Sequence, residues 1–190
     1  GAVARSVEFA EQTAFDLRKA TPELPDQHVP AGHTPMSWLR ELVRQGADRL
    51  YAHNRAEAET RLQRELAVIE SKSFAGYFLI VNDIVAEAKR RQILCQGRGS
   101  AANSAVCYAL GITAVDSIFY NLPFERFLSA TRDEEPDIDV DFDSERREEI
   151  IQWVYQMHGR RNPAPVATAI SYRPRPAVRD TATPPGYSGR

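Results

Sequence analysis

Between Asp137 and Asp143 acidic and apolar residues alternate: Asp137, Asp139 and Asp141 against Ile138, Val140 and Phe142. A period of two is that of a β-strand, whose successive side chains point to opposite faces. One face is wholly apolar and anchors the strand in a core. The other aims three carboxylates in one direction, about 7 Å between successive residues. Three anions on one face repel each other, and burying them is costly unless a cation neutralises them. Hard oxygen donors suit Mg²⁺, which takes one or two carboxylates together with substrate phosphates. An exposed acidic sheet edge would carry the same pattern. A calcium loop would not: acids fall at positions 1, 3, 5, 9 and 12 counted from Asp137, but Phe142 stands at position 6, where an EF-hand needs glycine for its turn.

Upstream of this strand, residues 93–96 read as a short strand that delivers the chain into Gly97-Arg98-Gly99-Ser100. The small and apolar residues from Ala101 to Leu110 predict a tight helix stopped by Gly111. Glycines let backbone N–H groups approach phosphate oxygens, and a helix starting there would add its positive N-terminus. Ser100 offers a hydroxyl and Arg98 a charge-assisted contact. A tight structural turn would look the same, and no GxxxxGK[ST] loop is present. Set beside three aimed carboxylates, the loop acquires a chemical meaning. Metal-assisted nucleotidyl transfer requires both a hold on phosphates and a place for the ions.

The remaining segments read as framework. Residues 4–19 predict an amphipathic helix with Val7, Ala10 and Phe15 on its sparse apolar face. Pro22, Pro25 and Pro30 mark a loop, and Thr34-Pro35 starts a helix carrying Trp38, Leu39, Leu42, Val43, Leu50 and Tyr51. A second helix carries Leu62, Leu66 and Ile69, with no chemistry assigned to it. Phe78, Val81, Ile84, Val85 and Ala88 keep helical period from Gly76 to about Gln92. After a turn at Asp116, residues 123–127 form an aromatic knot. From Ser144 a helix turns Ile150, Ile151, Val154 and Met157 inward and closes at Gly159, and residues 166–172 have the makings of one more strand.

Charge is distributed unevenly. Ten acids and two arginines lie between Asp133 and Glu149, whereas residues 159–190 hold six arginines and one aspartate. This segregation fits a metal centre beside an anion-facing segment, and equally two solvated surfaces of opposite sign. Cys95 and Cys107 form neither a CxxC pair nor a disulfide framework, and read as small buried hydrophobes. His28, His33, His53 and His158 read as surface residues, and no Ser/His/Asp or Cys/His set competes for a catalytic role. With no apolar run of bilayer length and nothing resembling a signal peptide, a cytoplasmic protein is expected.

The stretches GYFLIVNDIV, ILCQGRGSAANSAVCYALGIT, FERFL and PDIDVDF with ERREE behind it resemble the bacterial DNA polymerase III alpha family, the C-family DNA polymerases. Within it, LCQGRGSAANSAVCYALGITAVD and AISYRPR resemble the error-prone, DNA-damage-associated branch more than the replicative one. The resemblance implies an α+β fold: a nucleotidyltransferase palm of the polymerase-beta-like kind with flanking helices, truncated here. It implies template-directed addition of deoxynucleotides to a primer 3′ end with two Mg²⁺ ions. DNA primer-template and deoxynucleoside triphosphates are the implied partners, with a sliding clamp and damage-response proteins in the full-length protein. By residue, it implies Asp137 and Asp139 as the metal-binding catalytic aspartates, with Asp141 a supporting neighbour. Gly99 and Ser100 fall on a phosphate-binding pair, with Arg98 beside it, and Arg126 aligns with a basic residue near the nucleotide.

The resemblance divides the chain into a remnant of an N-terminal phosphoesterase-like domain at residues 1–16, the first part of the palm at 17–168 and the start of a thumb at 169–190. From about Thr181 the sequence departs from the family pattern. Fingers, helix-hairpin-helix and OB-fold segments are absent, and so is the third catalytic aspartate, since Asp180 is the one acid after Glu149. The isolated chain is therefore expected to be inactive. Other readings are a different nucleotidyltransferase with the same palm, a replicative alpha subunit, and a non-catalytic remnant that binds nucleic acid through its arginine-rich end.

Overall fold

In a computed structural model of the chain, the structure describes residues 1–15, 24–129, 135–169, 171 and 173–181. Three long helices form the framework: α2 (Pro35–Leu50), α3 (Arg55–Ser71) and α4 (Ala75–Arg90). The start of α2 is dictated locally. Thr34 accepts a hydrogen bond from the Ser37 N–H at 3.2 Å, the Ser37 hydroxyl accepts from the Thr34 N–H at 2.9 Å, and Pro35 follows at the first helical position. Leu39 and Val43 of α2, Leu62, Leu66 and Ile69 of α3, and Phe78, Leu79 and Val85 of α4 meet in one core. The apolar run opening α4 is thus a helix, as its 3.6-residue spacing predicts.

The other elements attach to this framework. Strand β1 (Cys95–Arg98) leads into a 3₁₀ turn over Gly99–Asn103 and then a short helix, α5 (Ala105–Ala109). Residues Ala105 and Val106 of α5 enter the core. Helix α5 lies against α2 so closely that a Cβ on Gly46 would stand 1.9 Å from the Ala109 carbonyl oxygen. Gly111, at φ +71°, reverses the chain. Asp116 Oδ1 then accepts from the Ile118 and Phe119 N–H groups and from the Tyr51 hydroxyl, closing the expected turn. In the aromatic knot Phe124 is buried and Phe127 packs edge-on against Phe78.

Strand β2 (Asp139–Phe142) pairs antiparallel with β1, Arg98 opposite Asp139 and Cys95 opposite Phe142. It is followed by α6 (Arg147–His158), which seats Ile150 in a second, smaller core with Ala88 and Ile93. Element order and layers make this an α+β unit with a two-stranded sheet.

Several expectations need correction. The N-terminal helix is α1 (Ala2–Gln12) rather than 4–19. It ends where Thr13 turns both its N–H and its hydroxyl onto the Phe9 carbonyl, and its expected final residues fall outside those described. Val7 and Phe15 are exposed, so no apolar face is used there. The first strand begins at Cys95, two residues later than read, because the Ile93 N–H is still taken by the Ala88 carbonyl at the end of α4. The helix read over 101–110 is split: Ser104 is extended and caps α5 alone. Ile151 and Met157 face outward, since α6 has only one narrow side on the protein. Residues 166–169 form no strand, 170 and 172 lie outside the described set, and Pro174–Thr181 forms helix α7. Cys107 is buried, its thiol pushed up to about 12 by burial, but Cys95 is half-buried. His158 is half-buried, with Nε2 sealed from solvent and unpartnered.

Gly46→Ala is expected to force α2 and α5 apart and to lower stability by about 1–3 kcal/mol, as overpacking does. A chemical-denaturation midpoint measured against the unsubstituted protein checks this.

Candidate functional site

Antiparallel pairing brings the Gly-Ser turn onto the acidic strand. Strand β2 begins at Asp139, two residues later than the alternation predicts, so Asp137 lies just ahead of it; Asp137, Asp139 and Asp141 are exposed, whereas Val140 and Phe142 are partly buried and turned to the core. Gly99 has φ +63°, a left-handed conformation that favours glycine. A Cβ at this position would stand 3.2 Å from Asp139 Oδ2, so its backbone and that carboxylate share one small volume. Next to it the Ser100 hydroxyl donates to the Asp137 carbonyl at 3.3 Å. The structure thus brings four of the predicted residues together: Gly99, Ser100, Asp137 and Asp139.

Arg98 and Asp141 form a pair of their own. Arg98 Nε lies 3.1 Å from Asp141 Oδ1, both side chains largely exposed. Asp141 is thereby the third acid of the alternating run, and the one held by an arginine. Arg126 is exposed in a second 3₁₀ turn, Phe124–Arg126, which packs beside the turn of Gly99 and Ser100. Among the described residues no group of three or more His, Cys, Asp or Glu is arranged to hold a metal ion. Asp137, just ahead of β2, and Asp139, its first residue, are two exposed hard-oxygen ligands, the donor chemistry that Mg²⁺ takes when phosphate and water complete its shell.

The N-terminus of α5 does not face this site as an open anion cradle. Its first donors are taken by Glu65, a wholly buried carboxylate from α3. Glu65 Oε1 accepts from the Ala105 N–H at 3.1 Å, and Oε2 accepts from the Val106 N–H at 3.1 Å and the Ser104 hydroxyl at 2.9 Å. Arg61 completes the set, its Nε 2.6 Å from Oε1. The Glu65 carboxyl is raised above its ordinary value, because burial outweighs the downward pull of Arg61 and the three other donors. All four partners donate, so the geometry is that of an ionised carboxylate. The expectation that a helix start would help cradle phosphate is corrected accordingly: anion-binding capacity is there, but a side chain of the protein uses it.

In the sequence α3 is marked by Leu62, Leu66 and Ile69, and neither Arg61 nor Glu65 is assigned a role there. A signal was present. Glu65 falls on the same helical stripe as those three, where a charge stands out of place unless it is paired.

Residues 37–189 match the family model of the bacterial DNA polymerase III alpha NTPase domain. The chain belongs to the bacterial DNA polymerase III alpha family. Within that family its similarity falls on proteins named error-prone DNA polymerase. That of Cutibacterium acnes is 63% identical over 187 residues, covering 98% of this chain and 16% of the relative. Those of Nocardia farcinica and Mycobacterium bovis are 54% and 51% identical over 189 residues, each covering 98% of this chain and 16% and 17% of the relative. The chain therefore spans about a sixth of the length of these curated relatives. No described helix is long and apolar enough to cross a membrane.

Gly99→Ala is expected to destabilise the protein by about 1–2 kcal/mol, the order of the left-handed penalty for an L-residue. Gly32→Ala, also at positive φ but with nothing within 4 Å of the added methyl, separates that backbone penalty from crowding against Asp139. A larger loss at Gly99 in thermal unfolding is the expected result.

Proposed function

We propose that this chain carries the first part of the palm of an error-prone DNA-directed DNA polymerase, residues 17–168, between a remnant of a phosphoesterase-like domain and the start of a thumb. The palm is taken to be of the polymerase-beta-like kind. The observation that carries the reading is how near Gly99 lies to Asp139, whose Oδ2 would be 3.2 Å from an added Cβ. It sets a phosphate-approachable turn beside that carboxylate, with Ser100 bonded to the Asp137 carbonyl, and family membership gives that juxtaposition its chemistry.

In this reading Asp137 and Asp139 are the catalytic carboxylates and would hold Mg²⁺. When bound, a pair of such ions makes the primer hydroxyl a better nucleophile and neutralises charge on the leaving pyrophosphate. The backbone of Gly99 and Ser100 meets the triphosphate, because the opening N–H groups of a 3₁₀ turn have no partner within it. The Ser100 hydroxyl swings from the Asp137 carbonyl to a phosphate oxygen. Arg98, anchored through Nε by Asp141, keeps its terminal nitrogens for the same phosphates, and Asp141 supports it from the strand. Arg126 approaches the nucleotide from the neighbouring turn. Primer 3′ oxygen attacks the α-phosphorus, a new P–O bond forms and pyrophosphate leaves. Template and primer DNA and deoxynucleoside triphosphates are the substrates, chromosomal DNA places the work in the cytoplasm, and a sliding clamp and damage-response proteins are the proposed associates.

In the full-length polymerase, Asp137→Asn and Asp139→Asn are each expected to abolish primer extension without unfolding the protein. Ser100→Ala is expected to lower kcat/KM for the nucleotide by about 1.5–3 kcal/mol, the worth of one charge-assisted hydrogen bond. Near-normal extension by either aspartate variant would sink the assignment. Assayed by themselves, the 190 residues are expected to bind Mg²⁺ weakly and extend no primer, since two carboxylates do not fix two ions and a primer oxygen. Template-dependent extension that disappears with Asp139→Asn would overturn that expectation.

A further inference from the structure

The Arg61–Glu65 pair lies behind the candidate site and touches none of the groups assigned to the reaction. Its bonds nevertheless end on the segments that carry them. Arg61 Nη2 donates to the Asn103 carbonyl at 3.2 Å and to the Leu122 carbonyl at 2.7 Å. Asn103 closes the turn that begins with Gly99 and Ser100, and Leu122 stands just ahead of the turn that carries Arg126. The same guanidinium lies 6.0 Å from the centre of the Phe124 ring, within that second turn. Glu65 holds the next three residues along, through the Ser104 hydroxyl and the N–H groups of Ala105 and Val106. Ser104 relays the hold, because its oxygen also accepts from the Cys107 N–H at 3.1 Å.

Apolar side chains alone would give α3 its place. Leu62, Leu66 and Ile69 already fill the contact. What the charged pair adds is direction, since each bond fixes a backbone atom at a set angle, which packing does not do. A buried ion pair is weak support for stability, and removing one partner leaves the other uncompensated. Retaining one here is best explained by what it orients.

We infer that Arg61 and Glu65 are positioning residues for nucleotide binding, fixing the turns of Gly99–Ser100 and Arg126 against Asp137 and Asp139. The inference rests on the phosphate role proposed above for Ser100. One guanidinium spans both turns, so a displacement of α3 reaches the two basic and hydroxyl contacts to the phosphates together.

Single-nucleotide incorporation by the full-length polymerase tests this. Arg61→Lys keeps the positive charge but loses the fork that spans two carbonyls and a carboxylate. Glu65→Gln keeps the size but not the charge. Each is expected to raise KM for the nucleotide between about tenfold and a hundredfold, the range that loss of one charge-assisted hydrogen bond to a phosphate produces. Each should leave kcat within about threefold and primer-template affinity unchanged, the pattern of lost nucleotide binding rather than lost chemistry. Combined with Ser100→Ala, Arg61→Lys should raise KM by less than it does alone, because the Ser100 contact is shared by the two substitutions whereas that of Arg126 is not. An unchanged KM in Arg61→Lys while Ser100→Ala raises it would overturn the positioning role and leave the phosphate role standing. An unchanged KM in Ser100→Ala would remove both. If Glu65→Gln does not fold, Arg61→Lys decides, and a deficit that disappears when the assay is cooled well below the unfolding range would mark a stability effect and overturn the inference.

Discussion

The arrangement depends on a carboxylate in a place where carboxylates are seldom found. Glu65 has no exposed surface, and an unpaired anion there would not be tolerated. It is stable because α3 supplies Arg61 one turn earlier and α5 supplies two backbone N–H groups and a capping hydroxyl. Two needs cancel: a buried charge finds donors, and a short helix whose first N–H groups face the core finds an acceptor. Helix α5 has five residues, too few to be stable alone, so its place is set by this bond set and by the contact with Gly46. From there outward, the turn of Gly99 and Ser100, strand β1 and the register of β2 follow in sequence.

Asp139 and Asp141 lie on β2 and Asp137 just ahead of it, and the protein does not treat the three alike. Asp141 is matched by Arg98, and Asp139 faces the bare backbone of Gly99. An exposed pair such as Arg98–Asp141 contributes little to stability, about 0–1 kcal/mol. Its effect is on position: it ties Arg98 to Asp141, and the Gly99 and Ser100 turn lies beside Asp137 and Asp139.

The sequence made most of this visible, for reasons that can be stated residue by residue. Period-two alternation is local, so β2 and its exposed acids could be read to within two residues, as could the Thr34 cap and, to within one, the helix that begins at Ala75. The Gly-Ser turn was legible too, since glycine at positive φ leaves a compositional trace. What escaped depended on distant partners. The α5 N-terminus looked available because its sequence, small and apolar, does not disclose that Glu65 from another helix fills it. Val7 and Phe15 have the spacing of a buried stripe, yet both are exposed among the described residues. The periodicity of α6 suggested four inward residues, but the protein covers only a narrow side of that helix, and Ile151 and Met157 remain outside.

Gly97 settles the geometry of the sheet in another respect. Its N–H donates to the Ile112 carbonyl at 2.7 Å, and a Cβ there would stand 2.6 Å from that oxygen. The flank of β1 turned away from β2 is therefore already closed by the chain's own backbone. Among the described residues β2 pairs with β1 alone. The side of the sheet left open among those residues is that of β2, and a strand added there would turn the acid-bearing strand from a border into an interior one, with Asp139 and Asp141 at the middle of the platform.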